Sequence, residues 1–280
     1  MRKMRLFRLF IPVLVILSFA SCTEFRKIQK SDDWKVKYDA AMEYYENSDY
    51  YRSITLFEEI LPLIRGREEG EESQFYYAYA HYKDKSYLLA AHYFKSFAET
   101  YSRSDHALEA QYMHAYSLYV SSPIYNLDQT STMEAIVTMQ SFINRNSSSE
   151  YVQQATDIIN ELQVKLETKA YYSAKQYHKI GYMKSALIAF DNFSKDYPDS
   201  KYNEELQFLK IETKFDLAQQ SIPAMRKERL GEVIEYYEDF VDEYPTSDYT
   251  NTAQRYYDQA IDNLGKIVDI QTRVDSQINN

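Results

Sequence analysis

The segment Phe193–Tyr202, FSKDYPDSKY, constrains the fold of this chain more than any other stretch. Phe193 and Tyr197 are four apart and share a helix face, and Pro198 closes that helix, because it lacks an N–H and disfavours the α region for its predecessor. Ser200 is then placed to cap the next helix. The same grammar recurs at Phe97, Phe142 and Phe240, the four anchors standing 45, 51 and 47 residues apart. Self-similarity at such a period predicts a repeat array. Seven residues before the anchors stand Ala90, Ala135, Ala186 and Val233, and three before stand Phe94, Met139, Phe190 and Tyr237. These offsets trace one helical face. Seven after come Ser104, Ser149, Ser200 and Ser247. Thirteen after, inside the following helix, come Ala110, Ala155, Leu206 and Ala253, where a small side chain permits close packing. A degenerate first copy centres on Ile60.

The chain is 45% apolar, enough for a substantial core, while five glycines and six prolines leave little material for hairpin turns. The expected class is all-α. Its 29 tyrosines cluster at helical spacings such as Tyr76, Tyr79 and Tyr82, which suits half-buried helix pairs, and the pattern reads first as the core of a helical stack. The net charge is −10, or −14 once residues 1–21, with four basic and no acidic side chains, are set aside. That balance argues against nucleic-acid binding.

Arg2, Lys3, Arg5 and Arg8 precede the apolar run Leu9–Leu17 and then Ser18-Phe19-Ala20-Ser21-Cys22, the form of a secretory signal over residues 1–21. Pro12 interrupts the run, which is too short for a membrane span. Cys22 is the single cysteine, so it has no intramolecular disulfide partner, and it sits where a signal peptidase would cut. Its surroundings resemble a bacterial lipobox, with Phe19 in place of the usual leucine, and this makes Cys22 the expected lipid-attachment residue and residues 22–33 a lipidated tether.

A helical solenoid is expected over residues 34–267, followed by a frayed tail at 268–280. Ser31 or Asp32 caps the first helix, a turn at Asn47–Asp49 leads to the second, and Gly66–Glu72 (GREEGEE) reads as a solvated loop without the spacing of a calcium site. The segment Val120–Thr132 replaces a tight turn in the third unit and is a candidate contact. No breaker interrupts the pattern between Ser149 and Lys175, so two units are expected to share one long helix. The fourth unit places Ala174, Tyr177, Gly181, Ala186, Phe190 and Pro198 at the positions of a tetratricopeptide repeat. The fifth inserts Gln219–Glu228 between its helices, and Asp248–Ile267 forms a capping helix. The five histidines show no metal-ligand spacing, and no Walker, GxGxxG, GxSxG or Ser-x-x-Lys motif occurs, so neither catalysis nor a cofactor or metal is expected.

The lipobox-like Cys22, about five tetratricopeptide-like units and boundaries of the form FxxxYPxSxY together resemble the BamD family, lipoproteins of the outer-membrane β-barrel assembly machinery, over roughly residues 31–265. Ser102 and Asn146-Ser147 depart from the boundary pattern, which leaves those helix ends with weaker stop signals. The resemblance implies an α-solenoid at the periplasmic face of the outer membrane, with no catalytic role. Its implied partners are the periplasmic domains of a BamA-like insertase, other assembly-complex subunits and unfolded outer-membrane protein precursors. By the same resemblance, precursor contacts fall on the first helices of the amino-terminal units, around Tyr38, Tyr45, Tyr76, Tyr79 and Tyr82, and insertase contacts on the carboxy-terminal units. Phe97, Phe142, Phe193, Pro198, Ser200, Phe240, Pro245 and Ser247 are expected to be structural. The alternative is a periplasmic tetratricopeptide adaptor of the Tol-Pal system, which shares the YPxS boundaries but resembles a protein with an amino-terminal coiled coil, for which the nine-residue step from Cys22 to Ser31 leaves no room.

Overall fold

The computed structural model describes residues 24–278, with side chains through residue 270; the expected signal segment and Cys22 lie outside the described residues. The described residues contain no strand, and the fold is all-α. A short helical segment at 24–29 precedes α1 (Trp34–Glu46), α2 (Tyr50–Ile60), α3 (Glu68–Lys83), α4 (Tyr87–Thr100), α5 (Ala107–Ser121) and α6 (Thr130–Arg145). Then come α7 (Val152–Lys179), α8 (Met183–Asp196), α9 (Asn203–Gln219), α10 (Pro223–Glu243) and α11 (Thr250–Ile278). The chain divides into two compact units, Met1–Gln163 and Val164–Asn280. The first stacks the hairpins α1–α2, α3–α4 and α5–α6, and the second packs α8, α9, α10 and α11 in sequence. The division falls inside α7, which is one continuous helix of 28 residues, as the missing breaker predicts.

The repeat positions are the core. Ala90, Ala135, Ala186 and Val233, the four anchor phenylalanines, and Ala110, Ala155, Leu206 and Ala253 are all buried, as is Ile60 of the first hairpin. Three turns inside hairpins share one motif. The N–H groups of Asp49, Ser86 and Tyr182 reach back five residues to the carbonyls of Tyr44, His81 and Tyr177 at 2.8, 2.9 and 2.9 Å. The residue just before each, Ser48, Lys85 or Gly181, sits at φ 62, 65 or 79°, the left-handed position that ends a helix in this way.

The four boundaries between hairpins are equally alike. The N–H of Tyr101, Asn146, Tyr197 and Tyr244 donates to the carbonyl of its anchor phenylalanine at 2.8, 3.0, 2.8 and 2.8 Å. These residues leave the helix at φ −113, −128, −133 and −126° with ψ 52, 47, 67 and 63°. Proline follows only two of them, so the two departures from the pattern adopt the same exit without it. The serines act differently from the expected helix caps. Each Oγ accepts from the N–H two residues on, at His106, Tyr151, Tyr202 and Tyr249 (3.1, 3.2, 3.1 and 3.1 Å), which closes a turn ahead of the helix. The caps of α5 and α9 are His106 and Tyr202 themselves.

Several expected boundaries move. Asp33, rather than Ser31 or Asp32, caps α1 by accepting from the Lys35 N–H at 2.9 Å. The GREEGEE stretch is a loop only as far as Arg67: Glu68, Glu69 and Glu71 form the first turn of α3, where carboxylates complement the exposed N–H groups. Gly70 is required there, since a Cβ would stand 2.3 Å from the Ile64 carbonyl oxygen. The third-unit loop shrinks to residues 122–129 because α5 runs on to Ser121 and α6 starts at Thr130. The insertion expected at 219–228 is a turn at 220–222, with Pro223 opening α10 at a position where its missing N–H costs nothing. Residues 24–29 are helical rather than tether, and α11 continues to Ile278, past the expected end at Ile267.

Candidate functional site

The first helices of the hairpins in the first unit, α1, α3 and α5, carry a row of aromatic rings. Tyr45 of α1 meets Tyr76 of α3 edge-on, with centroids 5.0 Å apart, and Tyr82 of α3 meets Tyr116 of α5 at 6.2 Å. Tyr116 continues the row to Tyr112 and Tyr119, each at 5.6 Å. Tyr45, Tyr76, Tyr79 and Tyr82 are half-buried, whereas Tyr38 is 8% exposed. The structure thus brings Tyr45 and Tyr76 together, directs Tyr79 and Tyr82 toward α5, and leaves Tyr38 largely inside.

Hydroxyl groups join neighbouring helices through carboxylates, a pattern that sequence periodicity alone did not reveal. Tyr38 donates to Glu72, Tyr79 to Glu109 and, in the second unit, Tyr171 to Glu205. Each of those glutamates lies three residues before an aromatic, Phe75, Tyr112 or Phe208, that in turn receives the last ring of a boundary segment. His106 stacks on Phe75, Tyr151 on Tyr112 and Tyr249 on Phe208, at 4.3, 4.4 and 4.7 Å, and Tyr202 stacks on Tyr171 at 4.0 Å. The readable signal was the ring-bearing residue nine after every anchor. Tyr119 donates to Glu161 and Tyr256 to Glu212, both at 2.8 Å.

Burial, reinforced by the Glu72 and Glu109 hydrogen bonds, raises the Tyr38 and Tyr79 hydroxyls far above their ordinary range, and burial beside Tyr50 and Tyr76 pushes Tyr45 up to about 12. All three remain protonated donors at neutral pH. The face therefore offers rings, neutral hydroxyls and carboxylates, which suits recognition by stacking and hydrogen bonding.

The loop at 122–129 is ordered by a buried glutamine. Gln129 Nε2 donates to the carbonyls of Ile124 and Leu127 at 2.9 and 3.1 Å, and its Oε1 accepts from Thr132 at 2.7 Å. Ile124 and Leu127 themselves face solvent. His81, His114 and His178 have packing roles. His81 lies buried between the rings of Tyr77 and Tyr93, His114 Nδ1 is 2.9 Å from the Ala91 carbonyl oxygen, and His178 Nδ1 is 2.8 Å from Thr213 Oγ1. Burial lowers the pKa of both His81 and His114.

A family profile described as "YfiO: Outer membrane lipoprotein" matches residues 30–230. The chain belongs to the YfiO family of outer membrane lipoproteins. It is 27% identical over 242 residues to an outer membrane protein assembly factor BamD of Aquifex aeolicus (strain VF5), an alignment covering 85% of this chain and 76% of that protein. The resemblance to the BamD family is thereby borne out. Among solved structures, a kinesin light chain protein of Podosopora anserina with nearly identical TPR-like repeats matches 78% of this chain and all of its own length, with a TM-score of 0.31 and 11% identity. Among the described residues no helix is long and apolar enough to cross a membrane.

Proposed function

We propose that this family member is a lipid-anchored, non-catalytic scaffold of outer-membrane β-barrel assembly. In this reading Cys22 is acylated after removal of residues 1–21, and the α1, α3 and α5 face of the first unit holds unfolded barrel precursors. The second unit binds the periplasmic domains of a BamA-like insertase, and the ordered loop carrying Ile124 and Leu127 serves another assembly-complex subunit. The observation that carries it is the tyrosine row, set in a chain that belongs to a family of outer membrane lipoproteins. Strands that alternate apolar and polar side chains can lay their rings and methyl groups on the tyrosines and their backbone N–H groups on the carboxylates.

A photo-crosslinking residue placed at Tyr76 or Tyr82 should capture barrel precursors, and one at Leu89 on α4 should not; equal capture at all three would overturn the assignment of the face. Cys22→Ser should move the protein from the membrane fraction to the soluble periplasm, and unchanged membrane association would overturn the anchor. Affinity purification of the membrane-extracted protein should recover an insertase. Recovery of Tol-Pal components without one would overturn the assembly reading.

A further inference from the structure

The chain reaches its first hairpin along a docked path. Residues 24–29 lie on the first hairpin: the Phe25 ring meets Tyr44 of α1 edge-on with centroids 5.7 Å apart, and the guanidinium of Arg52 of α2 sits 5.5 Å from both rings. Further along, Gln29 Nε2 donates to Glu59 Oε1 at 2.9 Å. Phe25 thus pairs with the start of α2 and Gln29 with its end, so the segment runs parallel to α2. It begins at the end of the hairpin where Asn47–Asp49 joins α1 to α2. Phe25 and Ile28 also pack against the core of the first hairpin.

This path limits how far the hairpin can stand from a lipid on Cys22. An extended chain spans at most about 3.6 Å per residue, so the three residues from Cys22 to Phe25 reach roughly 11 Å. The turn end of the hairpin displays Tyr51, 74% exposed, and the docked segment displays Arg26 and Lys27. Of the nearby acidic groups, Asp49 is paired with Arg52 at 2.9 Å, and Glu24, Glu43 and Glu46 are exposed. The patch is thus slightly acidic, with an aromatic ring and two exposed cations. Such rings favour the headgroup layer, and lysine and arginine bind its phosphates.

We infer that the turn end of the first hairpin rests against the phospholipid headgroups, with Tyr51, Arg26 and Lys27 as the contacting side chains, so that the first unit is held at the membrane surface rather than swinging on a tether. The inference rests on acylation of Cys22 as proposed above.

Because Cys22 is the single cysteine and acylation consumes its thiol, Tyr51→Cys and Val137→Cys each supply one free thiol for an environment-sensitive fluorophore. Val137 is 69% exposed on α6, two hairpins further along the unit. In the lipidated full chain on phosphatidylethanolamine–phosphatidylglycerol vesicles, a quencher carried just below the headgroups should quench the Tyr51 site several-fold more than the Val137 site. A Gly/Ser insert of about twelve residues between Thr23 and Glu24, spanning roughly 20 Å on average, should abolish the difference while the protein stays on the vesicles. Phe25→Ala with Gln29→Ala should weaken it. Equal quenching at the two sites of vesicle-bound protein overturns this inference alone. Failure of the lipidated preparation to bind vesicles overturns the acylation reading, and this inference with it.

Discussion

Replacing Pro198 with serine asks what ends each second helix of the array. Tyr101 and Asn146, which precede serines, leave their helices at φ −113 and −128°, while Tyr197, which precedes Pro198, leaves at −133°. The native exit therefore survives without the ring, and Pro198→Ser should forfeit only the restriction that proline places on the unfolded chain, about 0.4–1 kcal/mol. Phe193→Ala is different. The side chain is 3% exposed, with ring centroids 5.1 Å from Tyr197 and 6.3 Å from Tyr171, and truncation at such sites costs about 3–5 kcal/mol. Ser200→Ala falls between: it removes the acceptor of the Tyr202 N–H and the donor to Glu167, together about 1–3 kcal/mol. Stacked hairpins open piecewise, so the assay is hydrogen exchange of the α8 and α9 amides in the full chain. Pro198→Ser should speed that exchange by about fivefold at most and Phe193→Ala by more than about a hundredfold. Comparable loss of protection from the two variants would refute the argument that the anchor phenylalanine, and not the proline, ends the helix.

Alkaline pH should dismantle the tyrosine–carboxylate links. Burial and the hydrogen bond to Glu205, partly offset by the Lys175 ammonium, push Tyr171 up to about 12, and the hydrogen bond to Glu161 pushes Tyr119 up to about 12. A hydroxyl raised in the folded state contributes stability that is complete below its ordinary value near 10 and is lost as pH rises through the folded one. Phenolate absorbance should therefore show a late fraction of tyrosines ionising together with the loss of helical circular dichroism; uniform ionisation near pH 10 with the helices intact would count against the links. Gly70→Ala should destabilise the first unit by about 1–3 kcal/mol in urea unfolding, because its Cβ meets the backbone oxygen of Ile64. Lys85→Gly, at φ 65°, should instead be neutral or stabilising by up to about 1 kcal/mol in the same measurement. Gln129→Leu removes the side-chain donor to the Ile124 and Leu127 carbonyls and should expose the 122–129 loop to limited proteolysis before any loss of overall helix content.

The anchors, their small partners and the shared long helix were legible because burial on one face forces a 3.6-residue pattern that no distant residue can disguise. Local chemistry was less legible where two readings compete. Four glutamates and two glycines in seven residues look like a loop, yet carboxylates also favour a helix's first turn, and the packing of Gly70 on Ile64 decided for the helix. Pro223 looked like part of an insertion and is the first residue of α10.

The repeat, the all-α class and the four boundaries follow from the sequence alone, since helix periodicity and stop signals are encoded within a few residues of one another. Which tyrosine hydroxyl meets which carboxylate, and which ring covers which, was decided only by the tertiary structure. Tyr38 and Glu72, Tyr79 and Glu109, and Tyr171 and Glu205 are separated by thirty or more residues, and only the stacking of one hairpin on the next brings them together. The docking of residues 24–29 on the first hairpin belongs to the same class: nothing local ties Gln29 to Glu59, and the contact exists because that hairpin offers Phe25 an aromatic seat at Tyr44 and Arg52.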